Sequence, residues 1–309
     1  MLSPQSACRS SRGDEVKPPI FDYIRPATLD EAASILSERG VEAKILAGGQ
    51  SLVPLLNFRM LRPSILVDIN AVPNLSYVRE NGDGLRIGAT TRHYAIETSP
   101  LVRERFPVLT QAMTHVAHLA VRNRGTIGGS LSHADPAAEL PMMAVLLDAE
   151  IHTRTKAGTR MHAAREFFIA PLTTVLEDDE IVTEIVLPPL PPRCGWAFEE
   201  FSQRTGDFAI AAVAATLDLN DGTIADARVA VTGVDETPLR LRDAEAELVG
   251  QRCSQALFTA VAQKARTAVQ PNSDLRASAD YRRHLVEALT ERALASACRR
   301  AKERRHDRS

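Results

Sequence analysis

The sequence predicts an α+β protein in two parts. Two small subdomains, about residues 20–75 and 76–190, come first, and a C-terminal domain, about 193–300, follows with a small antiparallel sheet faced by helices. Three observations predict this. Before residue 190, short apolar strands alternate with helical patterns and glycine turns. Pro188-Pro189-Leu190-Pro191-Pro192 then breaks regular structure and marks the domain boundary. Beyond it lie three long strand-like runs and three helical patterns.

Residues 1–19 are rich in Ser, Arg and other polar residues and lack the apolar core of a signal peptide, so they read as a flexible extension. Order begins near Phe21. Pro26 and Thr28-Leu29-Asp30-Glu31 mark a helix start, with Leu29, Ala32, Ala33, Ile35 and Leu36 at helical spacing, and Gly40 ends that helix. A strand over 43–47 runs into Gly48-Gly49-Gln50-Ser51, with Ser51 placed to cap a short helix carrying Leu52, Leu55 and Leu56. Residues 64–69 are apolar on both faces apart from their end, as in a strand within a mixed or parallel sheet, and close a βαβ unit.

In the second subdomain, Asn81-Gly82-Asp83-Gly84 is a turn before a strand over 85–89, and Thr90-Thr91 is placed to cap a helix over 93–97. Pro107 precedes a helix from 108 to about 119. Strands are expected near 150–155, 160–163 and 181–187, the last alternating apolar and polar residues. In the C-terminal domain, 196–201, 209–219 and 224–232 read as antiparallel strands with a hairpin turn at Asn220-Asp221-Gly222. Helical patterns cover 242–248, 257–269 and 279–297, and residues 301–309, ending the basic run 299–305, read as a solvated tail.

The centre of the chain is the stretch 122–141. Arg122, Arg124, Thr126, Gly128-Gly129 and Ser130 stand in a row before an Asp135-Pro136 helix start. Glycines let a backbone approach a ligand closely and turn consecutive N–H groups toward it, and Thr126 and Ser130 add donors, so the pattern suits an anion. Lys44 to Leu52 repeats it upstream as a buried strand leading into Gly48-Gly49-Gln50-Ser51. Two such loops can grip one diphosphate from opposite sides. The spacing is not the dinucleotide fingerprint, and no Lys-Ser/Thr pair follows the glycines, which argues against a Rossmann site and a P-loop.

Composition narrows the function. At 309 residues, 44% hydrophobic and 25% charged, the chain is long and apolar enough to bury a core. A net charge of -2 without a basic stripe in the body gives no footprint for nucleic acid. No run approaches the roughly eighteen apolar residues of a membrane span. Cys8, Cys194, Cys253 and Cys298 are too scattered for a zinc or iron–sulfur site, and reduced thiols in a cytoplasm are expected. His115 and His118 have helical i, i+3 spacing but no carboxylate or cysteine partner, and His133 and Asp135 read as residues that hold the loop, so no metal ligand and no catalytic residue is assigned.

Ala47-Gly48-Gly49-Gln50-Ser51-Leu52 with Pro54-Leu55-Leu56, and Arg124-Gly125-Thr126-Ile127-Gly128-Gly129-Ser130 with Ala134-Asp135-Pro136-Ala137-Ala138-Glu139-Leu140-Pro141, resemble the FAD-binding medium subunit of molybdenum hydroxylases. This is the family of carbon monoxide dehydrogenase and xanthine dehydrogenase flavin subunits. The resemblance runs from about Phe21 to the last helix and includes Arg204-Thr205-Gly206-Asp207-Phe208-Ala209. It implies a two-subdomain FAD-binding domain of the PCMH, vanillyl-alcohol-oxidase-like type over 20–190, and a flavin-subunit domain after it.

By the same resemblance, the FAD diphosphate and ribityl chain are clasped by Leu46, Ala47, Gly48, Gly49, Gln50, Ser51 and Leu52 together with Thr126, Ile127, Gly128, Gly129 and Ser130, largely through backbone N–H groups. Glu139 falls where relatives often carry an aspartate that reaches a polar part of the cofactor. Val116 and Ile127 match positions near the flavin or adenine, Val182 an apolar position by the cofactor, and Phe208 a position beside the isoalloxazine. Relatives commonly place a lysine near Glu199 or Glu200; this chain has acids there, with Arg204 as the candidate substitute.

The implied function is electron transfer. Electrons extracted at a molybdenum centre on a large molybdopterin subunit pass through iron–sulfur clusters on a small subunit to this FAD and on to an acceptor, in a cytoplasmic, doubled heterotrimer. The alternative is a self-sufficient flavin oxidase or dehydrogenase acting on a small molecule, since the same broad fold serves such enzymes. Gln50 and its neighbours offer no histidine for covalent flavin attachment, and no acid–base pair is evident around the implied ring.

Overall fold

The computed structural model describes residues 17–306; residues 1–16 of the expected extension and 307–309 of the expected tail lie outside it. The chain opens with β1 (Asp22–Ile24), α1 (Leu29–Arg39), β2 (Ala43–Leu46), α2 (Leu52–Asn57) and β3 (Ile65–Asp68). The three strands are parallel, in the order β1-β3-β2, which is the expected βαβ unit with β1 added at an edge. Thr28 caps α1 by accepting from the Glu31 N–H, and Gly40 ends it at φ 51°. Ala32, Ala33 and Leu36 bury one face of that helix, at the spacing the sequence shows. Ser51 does not cap α2 with its side chain. The first helical bond runs instead from Val53 N to Gly49 O, 3.0 Å.

Next come β4 (Val78–Asn81), β5 (Gly84–Gly88), α3 (His93–Thr98), α4 (Pro100–Arg105), α5 (Pro107–Met113), α6 (Leu119–Arg122), α7 (Ile127–His133) and α8 (Glu139–Leu146). The subdomain closes with β6 (Glu150–Thr155), β7 (Gly158–Ala163), α9 (Ala164–Phe167), β8 (Phe168–Ala170), β9 (Thr173–Thr174) and β10 (Ile181–Leu187). Its main sheet is antiparallel in the order β4-β5-β10-β6-β7, so the six helices α3 to α8 connect β5 to β6, and the last strand, β10, fills the place between those two.

Four expectations are corrected here. The helix expected to reach residue 119 stops at Met113, and Ala117 at φ 43° turns the chain before α6, so His115 and His118 do not share a helical face. Thr91 does not cap α3; its hydroxyl accepts from Tyr77 N and donates to Tyr77 O, both at 2.9 Å. Asp135-Pro136 is a turn in which Asp135 Oδ1 accepts from Ala137 N, and α8 starts later, at Glu139. Residues 127–133 form a helix rather than a loop: Thr126 Oγ1 accepts from Gly129 N at 3.2 Å, and Ile127 and Leu131, one turn apart, are buried.

The C-terminal part contains β11 (Gly195–Ser202), β12 (Ala209–Asn220), β13 (Thr223–Thr232) and β14 (Leu239–Arg240), paired antiparallel in that order, and α10 (Arg242–Leu248), α11 (Gln255–Ala268) and α12 (Ala279–His306). Asp221 at φ 49° and Gly222 at φ 79° make the expected two-residue hairpin turn. One face of β12, carrying Ala211, Val213 and Ala215, packs with Val286, Leu289 and Ala293 of α12. The other, carrying Ala212 and Ala214 beside Phe198, joins the core of the second subdomain.

The basic run near the end is not a solvated tail. Helix α12 continues to His306, Ala301 is buried, and the Arg300 guanidinium lies 3.8 Å from the Trp196 ring centre while donating to Trp196 O at 2.7 Å. Arg304 donates to Cys194 O at 3.3 Å. A Cβ on Gly195 would strike Ala297 O and Ala301 N, so α12 rests directly on the backbone of β11.

Candidate functional site

The two glycine stretches meet in space. A Cβ on Gly48 would lie 2.6 Å from Arg124 O and 2.9 Å from Gly125 Cα, so the segment after β2 can rest on the turn before α7 only because residue 48 has no side chain. A brace of side chains holds the pair. Arg92 donates to Arg124 O and, through Nη2, to Asn70 Oδ1 at 2.7 Å, while Asn70 Nδ2 donates to Ala47 O at 2.8 Å. Asp68, at the end of β3, fixes Asn70 by accepting from its backbone N–H at 2.9 Å.

The glycines act differently from one another. Gly49 takes φ 72°, the left-handed conformation expected of a ligand-facing turn. Gly128 is helical. Its N–H donates to Ala89 O at 2.9 Å and a Cβ there would be 2.7 Å from the Ala89 Cβ, so it lets α7 sit on the end of β5.

A cleft of about 710 Å³ opens beside this junction, within the size range of small-molecule and cofactor sites. It is lined by Ala47, Gly48, Gly49, Gln50, Ser51 and Leu52 from the first stretch, by Thr126, Gly128, Gly129 and Ser130 from the second, and by Val116, Glu139, Val182 and Phe208. Two expected residues stand behind the wall: the Leu46 side chain would be 3.2 Å from a Cβ on Gly49, and Ile127 is buried in the core. Gly206, Asp207 and the 44% exposed Phe208 bring the C-terminal domain to the rim.

Charge is distributed in ways the sequence did not indicate. Arg122 is committed to structure, with Nε donating to Glu97 Oε2 at 2.8 Å and Nη1 to Val116 O at 2.9 Å and Ala117 O at 2.8 Å. It thereby shapes the turn that presents Val116. Arg204 is exposed and outside the cleft lining, so the expectation that it supplies a positive charge at the cleft in place of Glu199 or Glu200 is not met. The Glu200 side chain is buried, with Oε1 3.7 Å from His115 Nδ1 and Oε2 without a hydrogen-bond partner.

Glu139, 4% exposed at the start of α8, has its pKa pushed up to about 8, chiefly by burial and then by the negative Glu200 and Asp135 nearby. At neutral pH it is a carboxylic acid that can donate a hydrogen bond. Sequence reasoning missed His93, Asn70 and the 172–174 segment, which also border or brace the cleft. None of them carries a local pattern that distinguishes it.

Residues 19–190 match the family of the FAD binding domain in molybdopterin dehydrogenase, and residues 196–297 match the CO dehydrogenase flavoprotein C-terminal domain. The chain is 41% identical over 288 residues to the 6-hydroxypseudooxynicotine dehydrogenase complex subunit alpha of Paenarthrobacter nicotinovorans, covering 93% of this chain and 97% of that protein. It is 40% identical over 286 residues to caffeine dehydrogenase subunit beta of Pseudomonas sp. (strain CBB1), covering 92% and 97%. A solved carbon monoxide dehydrogenase structure from Hydrogenophaga pseudoflava superposes with a TM-score of 0.90 at 37% identity, over 92% of this chain and 99% of that one.

Proposed function

The chain belongs to the FAD-binding medium-subunit family of the molybdenum hydroxylases, and on that premise we propose that it is the electron-transfer subunit of a larger complex. It is a FAD-dependent oxidoreductase subunit. In the proposed assembly, an iron–sulfur small subunit delivers electrons from a molybdopterin large subunit, in a doubled heterotrimer in the cytoplasm, and an external acceptor removes them.

The observation that carries this reading is the Gly48–Arg124 junction with the cleft beside it. The residues present fit FAD. The cleft is of cofactor size, and Gly48, Gly49 and Gly129 from the two stretches line it together with Ser51, Thr126 and Ser130. The 47–52 and 126–130 segments would hold the diphosphate and ribityl chain, with Val116 and Val182 as apolar walls and Phe208 beside the ring system. The neutral Glu139 carboxyl would donate to a polar atom of the ligand. FAD, when bound, supplies the redox chemistry, while the protein supplies position, dryness and fixed dipoles.

The test is expression together with the genes of the partner subunits. Co-purification with iron and molybdenum, at a native mass well above 33.7 kDa, supports the proposal. A free chain in a lysate that contains those partners counts against it. Flavin reduction by a small substrate without partner subunits would favour the self-sufficient oxidase instead.

A further inference from the structure

Cys253 and Cys298, far apart in sequence, meet where α11 starts beside α12. Cys253 is half-buried two residues before α11 and next to Arg252, whose backbone bridges to Thr223; Cys298 lies on α12 and is 4% exposed. Both line a pocket of about 400 Å³ that opens to solvent, and its charged groups, Arg299, Lys302 and Glu303, all come from α12. The two thiols hydrogen-bond to each other, and Lys302, one helical turn beyond Cys298, hydrogen-bonds to Cys298 as well.

The two sulfurs are not equivalent. Cys253, the donor, stays a thiol, because the bond to Cys298 and then burial raise its pKa. Cys298, the acceptor, is shifted down, first by that bond and then by the Lys302 ammonium, with burial acting against them. A thiolate beside a protonated thiol, in a pocket of net positive charge, has the arrangement of an attacking and a resolving cysteine. Cys194 lacks it: its Sγ donates to Gly195 O at 3.2 Å, and burial pushes its pKa up to about 12.

We propose that Cys253 and Cys298 are a redox-sensitive pair that a small hydroperoxide converts to a disulfide. The Cys298 thiolate attacks one peroxide oxygen, the O–O bond breaks, and the departing oxygen takes up a proton and leaves as water or an alcohol. The Cys253 sulfur then attacks the Cys298 sulfenic acid; the S–O bond breaks, and the hydroxide takes the Cys253 proton and leaves as water. The two thiols lose two electrons, and the peroxide gains them. A small oxidant suits the pocket because Cys298 shows only an edge to it. The new bond ties α12 to the segment before α11, whatever the main cleft holds.

The experiment treats the purified, reduced full chain with a small molar excess of hydrogen peroxide, alkylates the remaining thiols and maps the tryptic peptides. The expected product links peptide 253–264 to peptide 293–299, less two hydrogens, and reverts with dithiothreitol, while Cys194 is recovered alkylated. The oxidised chain should unfold at a higher urea concentration than the reduced one. Cys253→Ser should leave a sulfenic acid on Cys298 that dimedone captures, and exposed Lys302→Gln should slow disulfide formation at pH 7 by about three- to tenfold. Cys298→Ser should leave Cys253 unoxidised; if that variant does not fold, the wild-type map and Cys253→Ser decide. Two free thiols after treatment, a link from either to Cys8, or oxidation of Cys194 at the same rate overturns the proposal. Dimedone on Cys253 rather than Cys298, or an unchanged rate in Lys302→Gln, overturns the assignment of Cys298 as the attacking thiolate.

Discussion

The carbonyl oxygen of Arg124 lies where a side chain on Gly48 would have to be, 2.6 Å from the Cβ position. Both partners are backbone, so neither can swing aside. Gly48→Ala should force the two stretches apart, at a cost of about 1 to 3 kcal/mol for overpacking. It should yield a folded chain with weak or absent visible flavin absorption. Gly222→Ala, with nothing within 4 Å of its Cβ position, should keep its colour.

Gly49→Val and Gly128→Val should also give colourless protein, for different reasons. Position 49 holds φ 72°, which a β-branched residue adopts only with strain of about 1 to 3 kcal/mol. Position 128 is helical and fails through collision with Ala89. Far-UV circular dichroism separates loss of flavin from loss of fold. Full flavin occupancy in both variants would show that the ligand does not lie between these stretches.

Glu139 predicts a pH dependence of stability. Its folded pKa, about 8, is raised above the ordinary 4.5, so the folded state binds the extra proton. The stabilisation is fully present below 4.5 and is lost as the pH rises toward 8, with a slope of up to about 1.4 kcal/mol per pH unit. Urea denaturation of the flavin-free chain between pH 5 and 8.5 should show this decline. Glu139→Gln should flatten it; an unchanged slope in that variant would assign the proton to another group.

Arg300→Ala should cost about 2 kcal/mol in urea denaturation, since it removes a guanidinium stacked on Trp196 and a charged bond to a carbonyl. Arg299→Ala, one residue away and exposed, should change stability by less than about 0.5 kcal/mol. Equal effects at both positions would mean that Arg300 contributes only as a surface charge.

Flavin should be released by acid precipitation and appear in the supernatant, because the Gly48-Gly49-Gln50-Ser51 stretch carries no histidine for covalent attachment. Flavin that stays with the denatured pellet would contradict this.

The sequence alone determined the glycine stretches, the hairpin at Asp221-Gly222, and strands and helices such as Ile181–Leu187 and Arg242–Leu248. Each rests on local physics: backbone freedom at glycine, or a side-chain period matched to one buried face. Edge strands β1 and β4 escaped because their residues are mostly exposed and show no alternation. Helix α7 escaped because a glycine pair reads as a loop, whereas Ile127 and Leu131 bury their side chains and Gly128 packs on Ala89.

Only the tertiary structure decided what the polar residues do. The basic run at 299–305 looks solvated until Trp196 and the Cys194 carbonyl, more than ninety residues upstream, receive Arg300 and Arg304. Arg122 looks like an anion ligand until Glu97 and two carbonyls take its donors. Glu139 keeps its proton and His93 stays neutral because elements distant in sequence remove water from around them, and desolvation is a property of the packed chain that no local spacing encodes.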